Sequence, residues 1–158
     1  IRHFYGHAAK SAEMADNIMR RMRFNNDVRE AVVTLIKYHD AYIKPEAKYI
    51  KRWLNKFGSE HLLRCLIMLK YSDISGQAVK NIERIREVGE LFTVLDDVIE
   101  QQACFSLKDL DINGGDLIAA GMKPGKEIGA VLNQMLELVL NDECANDKDA
   151  LLKAVGIE

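Results

Sequence analysis

Ser59-Glu-His-Leu62-Leu-Arg-Cys-Leu-Ile-Met-Leu69-Lys-Tyr-Ser-Asp73 is the stretch on which the fold turns. Between Leu62 and Leu69 only Arg64 is charged, and Ser59 stands where a helix N-cap belongs. No period-two alternation runs through it, so it reads as a helix reaching about Gly76. A helix that is apolar round most of its circumference is expected to be the central, buried member of a bundle.

Toward the N-terminus, Ala8, Ala12, Ala15, Ile18, Met19 and Met22 recur at the spacing of one helix face. Phe24-Asn25-Asn26 is a turn, with Asn26 as the expected N-cap and Glu30 in the turn that follows. The next helix, about 27–39, is expected to bury Val28, Val32, Leu35 and Ile36 and to end at Tyr38-His39-Asp40. Pro45 lies near the start of a third helix holding Ile50, Trp53 and Leu54, closed by Phe57-Gly58-Ser59.

Toward the C-terminus, a long charged helix is predicted from about Gln77 to Gln101. Ser106-Leu-Lys-Asp-Leu110 is a cap-and-turn element, and Gly114-Gly-Asp116 leads into a brief helix to Ala120. Gly121-Met-Lys-Pro-Gly125 is a tight connection that puts Pro124 near the first position of the last long helix. That helix carries Ile128, Val131, Leu132, Met135, Leu136 and Val139 on one stripe, and a short helix over about 148–155 follows. With no strand pattern or internal repeat, the expected fold is all-α: a helical bundle over 1–103 and a smaller helical tail over 104–158.

Composition bounds the function. Of 158 residues, 29% are charged and 48% apolar, the balance of a soluble globular protein large enough to need no staples. Cys65, Cys104 and Cys144 are odd in number and form no CxxC pair, so they read as reduced thiols of a cytoplasmic protein. No apolar run approaches a membrane span, and no signal peptide is visible. The chain opens on Ile1-Arg-His-Phe-Tyr-Gly-His7 rather than on Met, and reads as a piece of a longer protein. Residues 1–80 hold 15 Lys+Arg against 8 Asp+Glu, and the remainder 7 against 16. Such asymmetry either points the front half at a polyanion or reflects no more than helix faces of different charge.

Two constellations could carry chemistry. His7, His39-Asp40 and Asp73 fall at the ends of three expected helices, and short turns could bring those ends together. Imidazole and carboxylate are good ligands for Zn²⁺, Mn²⁺ or Fe, which would activate water for hydrolysis; singly, each residue reads equally as a cap or surface group. His3 and His61 lie off this set and read as structural. The second constellation is Gly121-Met-Lys-Pro-Gly-Lys-Glu-Ile-Gly129, entered from Asp111-Ile-Asn-Gly-Gly-Asp-Leu117. A helix N-terminus behind a glycine turn is a seat for phosphate, Gly125 and Gly129 permit close approach, and Lys123 and Lys126 suit phosphate contacts. The alternative is a helix connection whose glycines only cap and pack. Arg20, Arg21, Arg23, Lys37, Lys44, Lys48, Lys51, Arg52 and Lys56, with Tyr42, Tyr49 and Trp53 among them, form either an RNA-facing surface or a solvated one.

These stretches resemble the C-terminal part of bacterial CCA-adding tRNA nucleotidyltransferases, members of the poly(A) polymerase family with an HD-type helical region. The points of contact are Phe4-Tyr-Gly-His7, Met19-Arg-Arg-Met-Arg-Phe24, Tyr38-His39-Asp40, Lys70-Tyr-Ser-Asp73, and Phe105 through Leu117 to Gly129. The resemblance implies a parent enzyme that adds cytidine and adenosine from CTP and ATP to tRNA 3′ ends without a template. Its Mg²⁺ site would lie in an N-terminal head without counterpart here, so this piece alone is expected to be inactive. The front domain would be HD-like but truncated at its N-terminal side, since a further His and a His-Asp pair fall upstream in relatives. His7, His39 and Asp73 match the later HD positions, and Asp40 is their neighbour. The rear helices would hold tRNA by shape and backbone, with Lys123, Gly125, Lys126 and Gly129 as a backbone-contacting element and Arg20, Arg21 and Arg23 as further contacts. The alternatives are part of a metal-dependent HD-type phosphohydrolase acting on nucleotides or phosphodiesters, and a helical interaction domain without a nucleic-acid partner.

Overall fold

The structure, a computed structural model, describes residues 6–76, 82–101 and 103–157. Eight α-helices occur among them: α1 (His7–Arg21), α2 (Asn26–Tyr38), α3 (Ala47–Phe57), α4 (Glu60–Gly76), α5 (Ile82–Glu100), α6 (Gly114–Ala119), α7 (Lys126–Leu140) and α8 (Lys148–Ala154). A 3₁₀ turn, Leu107–Asp109, precedes α6, and the described residues contain no strand. The fold is all-α. His3, Phe4, Tyr5 and the expected helix start at Gln77 lie outside the described residues.

Caps account for most boundaries. Asn25 rather than Asn26 caps α2, its side chain accepting from the Asp27 N–H at 2.8 Å. Ser59 caps α4 by accepting from the Leu62 N–H at 3.2 Å. Gly125 is the N-cap of α7, which places Pro124 one residue before the cap instead of just inside the helix. At the end of α1, Phe24 N–H reaches the Met19 carbonyl and Arg23 N–H the Arg20 carbonyl, both at 3.0 Å. Such a closure needs a left-handed residue, usually glycine, yet Arg23 fills it with φ 57°. The end of α7 is built alike around Asp142, φ 60°, with Glu143 N–H on Leu138 O and Asp142 N–H on Val139 O.

Two compact units divide the chain: Ile1–Pro45 with Ser59–Phe92, and Glu46–Gly58 with Thr93–Glu158. They do not follow the division read from the sequence at 103/104, because α3 groups with the rear segment. In the front unit Ala12, Met19, Ile43, Leu63, Leu66, Ile67, Ile74, Val88 and Leu91 are buried. Asp16 ties α1 to α2, pairing with Arg29 Nε at 3.1 Å and accepting from Arg20 Nε at 2.8 Å. The expectation that α4 is the central, buried helix is met on one side only: Leu63, Leu66 and Ile67 are fully buried, while Met68 and Leu69 are 57% and 39% exposed. Burial on α2 is also thinner than its pattern suggests, with Val28 exposed and Val32, Leu35 and Ile36 only partly covered. A helix in a thin layer covers one side and leaves the other to solvent, whatever its composition.

The rear unit has the fuller core. Cys104, Leu110, Ile112, Leu117, Met135, Leu136, Val139, Leu140 and Leu151 cluster, with Ile128, Val131 and Leu132 packed against them, so the stripe read on α7 is the buried one. Ile50 and Leu54 of α3 are fully buried, as is Leu95. Lys51 of α3, 7% exposed, donates to the Asp142 carboxylate and toward the Val139 carbonyl at 3.4 Å. Next to it, Arg52 donates to Asn141 and to Glu137. The last turn of α7 thus receives donors from α3 at the negative end of its dipole.

Candidate functional site

His7, Asp40 and His39 converge at the front of the first unit. The two imidazole Nε2 atoms are 3.3 Å apart, and the Asp40 carboxylate lies 2.6 Å from His7 Nε2 and 3.2 Å from His39 Nε2. His39 Nδ1 donates to the Ile36 carbonyl at 2.7 Å; a carbonyl only accepts, so this nitrogen carries a proton. In a neutral His39 ring the Nε2 lone pair then points at the other two groups. An imidazole held from behind in this way is oriented as a metal ligand is. One ligand atom from each residue lies within 4.8 Å of the other two. Zn–N bonds of about 2.0–2.1 Å in tetrahedral geometry put ligands about 3.3 Å apart. The His–His and His39–Asp40 spacings match that figure, while the His7–Asp40 contact is a direct hydrogen bond that would open slightly. The donor set fits a divalent cation with positions left for water or substrate.

A cleft of about 340 Å³ runs beside the cluster, lined by His7, Ser11, Ile36, His39, Leu69, Lys70 and Asp73. Asp73, expected as a fourth ligand, reaches this cleft but stands outside the three-residue group. Lys70 donates to the His39 carbonyl at 2.7 Å. Burial lowers its pKa from the ordinary lysine value against the opposing pull of Asp40; Arg84 lowers it further and Asp73 raises it. Sequence reading passed over Lys70 and Ser11 as site residues. One signal was available, since Lys70 stands three residues before Asp73 and shares its helix face.

In the rear unit, two capping boxes follow one another. Ser106 N–H and Oγ both donate to the Asp109 carboxylate, at 2.9 and 2.8 Å. Asn113 N–H donates to Asp116 at 2.9 Å while its side chain accepts from Gly115 and Asp116 N–H. Asn146 joins the loop to the chain before α8, accepting from Asp111 N–H at 3.0 Å and donating to the Asp109 carbonyl at 2.8 Å. Asp109 and Asp116 are therefore engaged in holding backbone. Lys148 completes the second box at 2.7 Å, and that bond, with the Asn113 N–H, lowers the Asp116 pKa below the usual carboxylate value.

The turn into α7 has different glycines. Gly121 sits at φ 96°, where only glycine is comfortable. A Cβ on Gly114 would meet Ile128 Cγ2 at 3.1 Å, so close packing demands glycine there. Among the described residues nothing lies within 4 Å of a Cβ added at Gly125 or Gly129, and both are exposed, as are Lys123 and Lys126. No neighbour among the described residues explains those two glycines.

The family model for tRNA nucleotidyltransferase domain 2 matches residues 4–155. The chain belongs to that family. Among curated relatives of this tRNA nucleotidyltransferase domain, the CCA-adding enzyme of Streptococcus mutans is 28% identical over 149 residues, 94% of this chain and 33% of that protein. The CC-adding tRNA nucleotidyltransferase of Thermus thermophilus is 28% identical over 136 residues, 85% of this chain and 29% of its own. The CCA-adding enzyme of Limosilactobacillus fermentum reaches 48% over a shorter 48 residues, 30% of this chain and 12% of that one. The chain spans about a third or less of the lengths of these relatives. No solved structure matches at a significant level. Within the domain, no described helix is long and apolar enough to cross a membrane.

Of the basic residues read as RNA contacts, Arg20 is committed to Asp16, while Arg21 and Arg23 are exposed at the end of α1. Lys51 and Arg52 of α3 are spent on the end of α7. Lys51 was legible as structural: it follows Ile50 and lies three residues before Leu54, on the stripe that packs inward.

Proposed function

We propose that this chain is the tRNA-holding portion of a cytoplasmic CCA-adding nucleotidyltransferase. The family match over residues 4–155 carries the reading, supported by relatives that are CCA- or CC-adding enzymes. Nucleotidyl transfer from CTP and ATP, with Mg²⁺, belongs to a head outside these 158 residues, and this portion supplies grip and orientation. Lys123 and Lys126 flank the uncapped N-terminus of α7, where the helix dipole and two side-chain charges favour phosphate. Gly125 and Gly129 leave room for a sugar–phosphate backbone to approach, and Arg21 and Arg23 add charge on the front unit.

The experiment is tRNA binding across a salt series. Each phosphate neutralised adds about 0.7–0.9 to the slope of log K against log salt, so loss of two contacts in Lys123→Glu with Lys126→Glu should flatten it by about 1.4–1.8. Binding that ignores both salt and these lysines would end the proposal.

The His7–His39–Asp40 geometry favours a second reading, a metal-dependent phosphohydrolase centre in the front unit. His7 Nε2, His39 Nε2 and an Asp40 oxygen would hold a divalent ion, which when bound supplies a Lewis acid for phosphoester cleavage. Asp73 and Lys70 line the cleft where substrate would lie. Co²⁺ titration should give a visible absorption band that His39→Ala abolishes. A silent titration of the native chain would dismiss this reading.

A further inference from the structure

Helix α3 carries Lys48, Lys51, Arg52 and Lys56 and no acidic residue. Lys51 and Arg52 face the end of α7, as described, and Lys48 and Lys56 lie on the same helix. Between α3 and α7 lies a groove of about 460 Å³ lined by Tyr49, Arg52, Trp53, Asn55, Lys56, Glu137 and Leu140. Tyr49 and Trp53 are four residues apart, so one helix face presents both rings. Phe57 meets the Trp53 ring edge-on, centroids 5.3 Å apart at 85°, and fixes its plane. Lys56 Nζ stands 4.9 Å from the indole centroid. Glu137 is the acidic group in the lining, and Arg52 at 3.3 Å offsets it.

We infer that this groove takes an unpaired RNA base, with Trp53 and Tyr49 as stacking surfaces and Lys56 on the adjoining phosphate. An oriented indole beside a cation is the combination single-stranded nucleic acid uses, because every base has a π-face and every linkage a charge. Bases inside a duplex have their faces covered, so the groove would select unstacked nucleotides. The inference rests on the tRNA-holding reading, extends it to α3, and uses none of the residues at the α7 N-terminus.

Trp53 is the single tryptophan of the chain, so its fluorescence reports on the groove directly. Titration of the intact chain with tRNA should quench that emission, and a blunt RNA duplex bound at low salt should leave it unchanged. Trp53→Ala should weaken tRNA binding about ten-fold with its salt slope unaltered, Trp53→Phe should recover most of the loss, and Lys56→Glu should lower the slope by about one. If tRNA binds in a way sensitive to Lys123 and Lys126 while Trp53 emission stays constant, the groove inference is wrong and the tRNA reading stands. Equal quenching by the duplex also overturns it. If tRNA does not bind at all, both fail.

Discussion

Replacing Asp142 tests how α3 and α7 are held together. Lys51 keeps 9% of its side-chain surface exposed while Asp142 keeps 61%, so one end of the ion pair is buried and the other wet. Removing one partner of a fully buried pair costs about 3–5 kcal/mol, and water at Asp142 reduces that. About 2 kcal/mol is expected for Asp142→Ala, which leaves the Lys51 ammonium only the Val139 carbonyl at 3.4 Å. Asp142 also occupies a left-handed position, φ 60°. Glycine relieves about 1 kcal/mol of strain there, so Asp142→Gly should cost about half as much as the alanine variant. Lys51→Met removes the buried charge itself and should cost less than Asp142→Ala, and in the Lys51→Met background Asp142→Ala should add little. Urea denaturation of the four variants gives the ordering, and the alanine variant should melt about 4–8 °C below the parent. Glycine as harmful as alanine would refute the backbone argument; Lys51→Met as harmful as Asp142→Ala would refute the buried-charge argument.

Arg23→Gly, at the other left-handed helix end, should raise stability by about 0.5–1 kcal/mol in the same assay, since the Arg23 position is exposed. Asp116→Asn should lower the melting temperature at neutral pH. Because the folded pKa of Asp116 is depressed, its contribution is present above the unfolded value of 3.8 and lost as pH falls through the folded one, so the two melting curves should converge below pH 4. Burial, then the nearby Asp109, pushes the Cys104 thiol up to about 11. Iodoacetamide at pH 8 should therefore label Cys65 and Cys144 well before Cys104, as read by peptide mass spectrometry, and urea should erase the difference.

Helix existence was legible because the period of 3.6 and the capping residues agree along most of the chain, and the stripe on α7 from Ile128 to Val139 packs as its pattern predicts. Burial was less legible. Composition reports which residues can be buried, not how many layers are present to bury them, and so α4 and α2 read as more enclosed than they are. His7 and His39 were visible as residues that adjacent helix ends could unite, and they do meet. Asp40, read with His7, His39 and Asp73 as a candidate ligand, stands within reach of both imidazoles, whereas Asp73 does not join the cluster. That difference depends on the one-turn geometry after α2, which side-chain spacing does not encode. The role of Asn146 was equally hidden, because its partners are 35 and 37 residues away.

The interrupted path of the rear unit bears on its synthesis. α3 is complete at Phe57, yet the Asp142 that neutralises Lys51 is 91 residues further along than Lys51. At ribosomal rates of about 5–20 residues per second, α3 waits about 4–17 s for its partner helix. Throughout that interval Ile50, Leu54 and the Lys51 ammonium stand on a nascent helix without their eventual cover. A fragment begun at residue 104 would lack α3 altogether and expose the face of α7 that it clothes. Any dissection of this chain must carry residues 46–58 along with the tail, by circular permutation or by a linker joining the two segments.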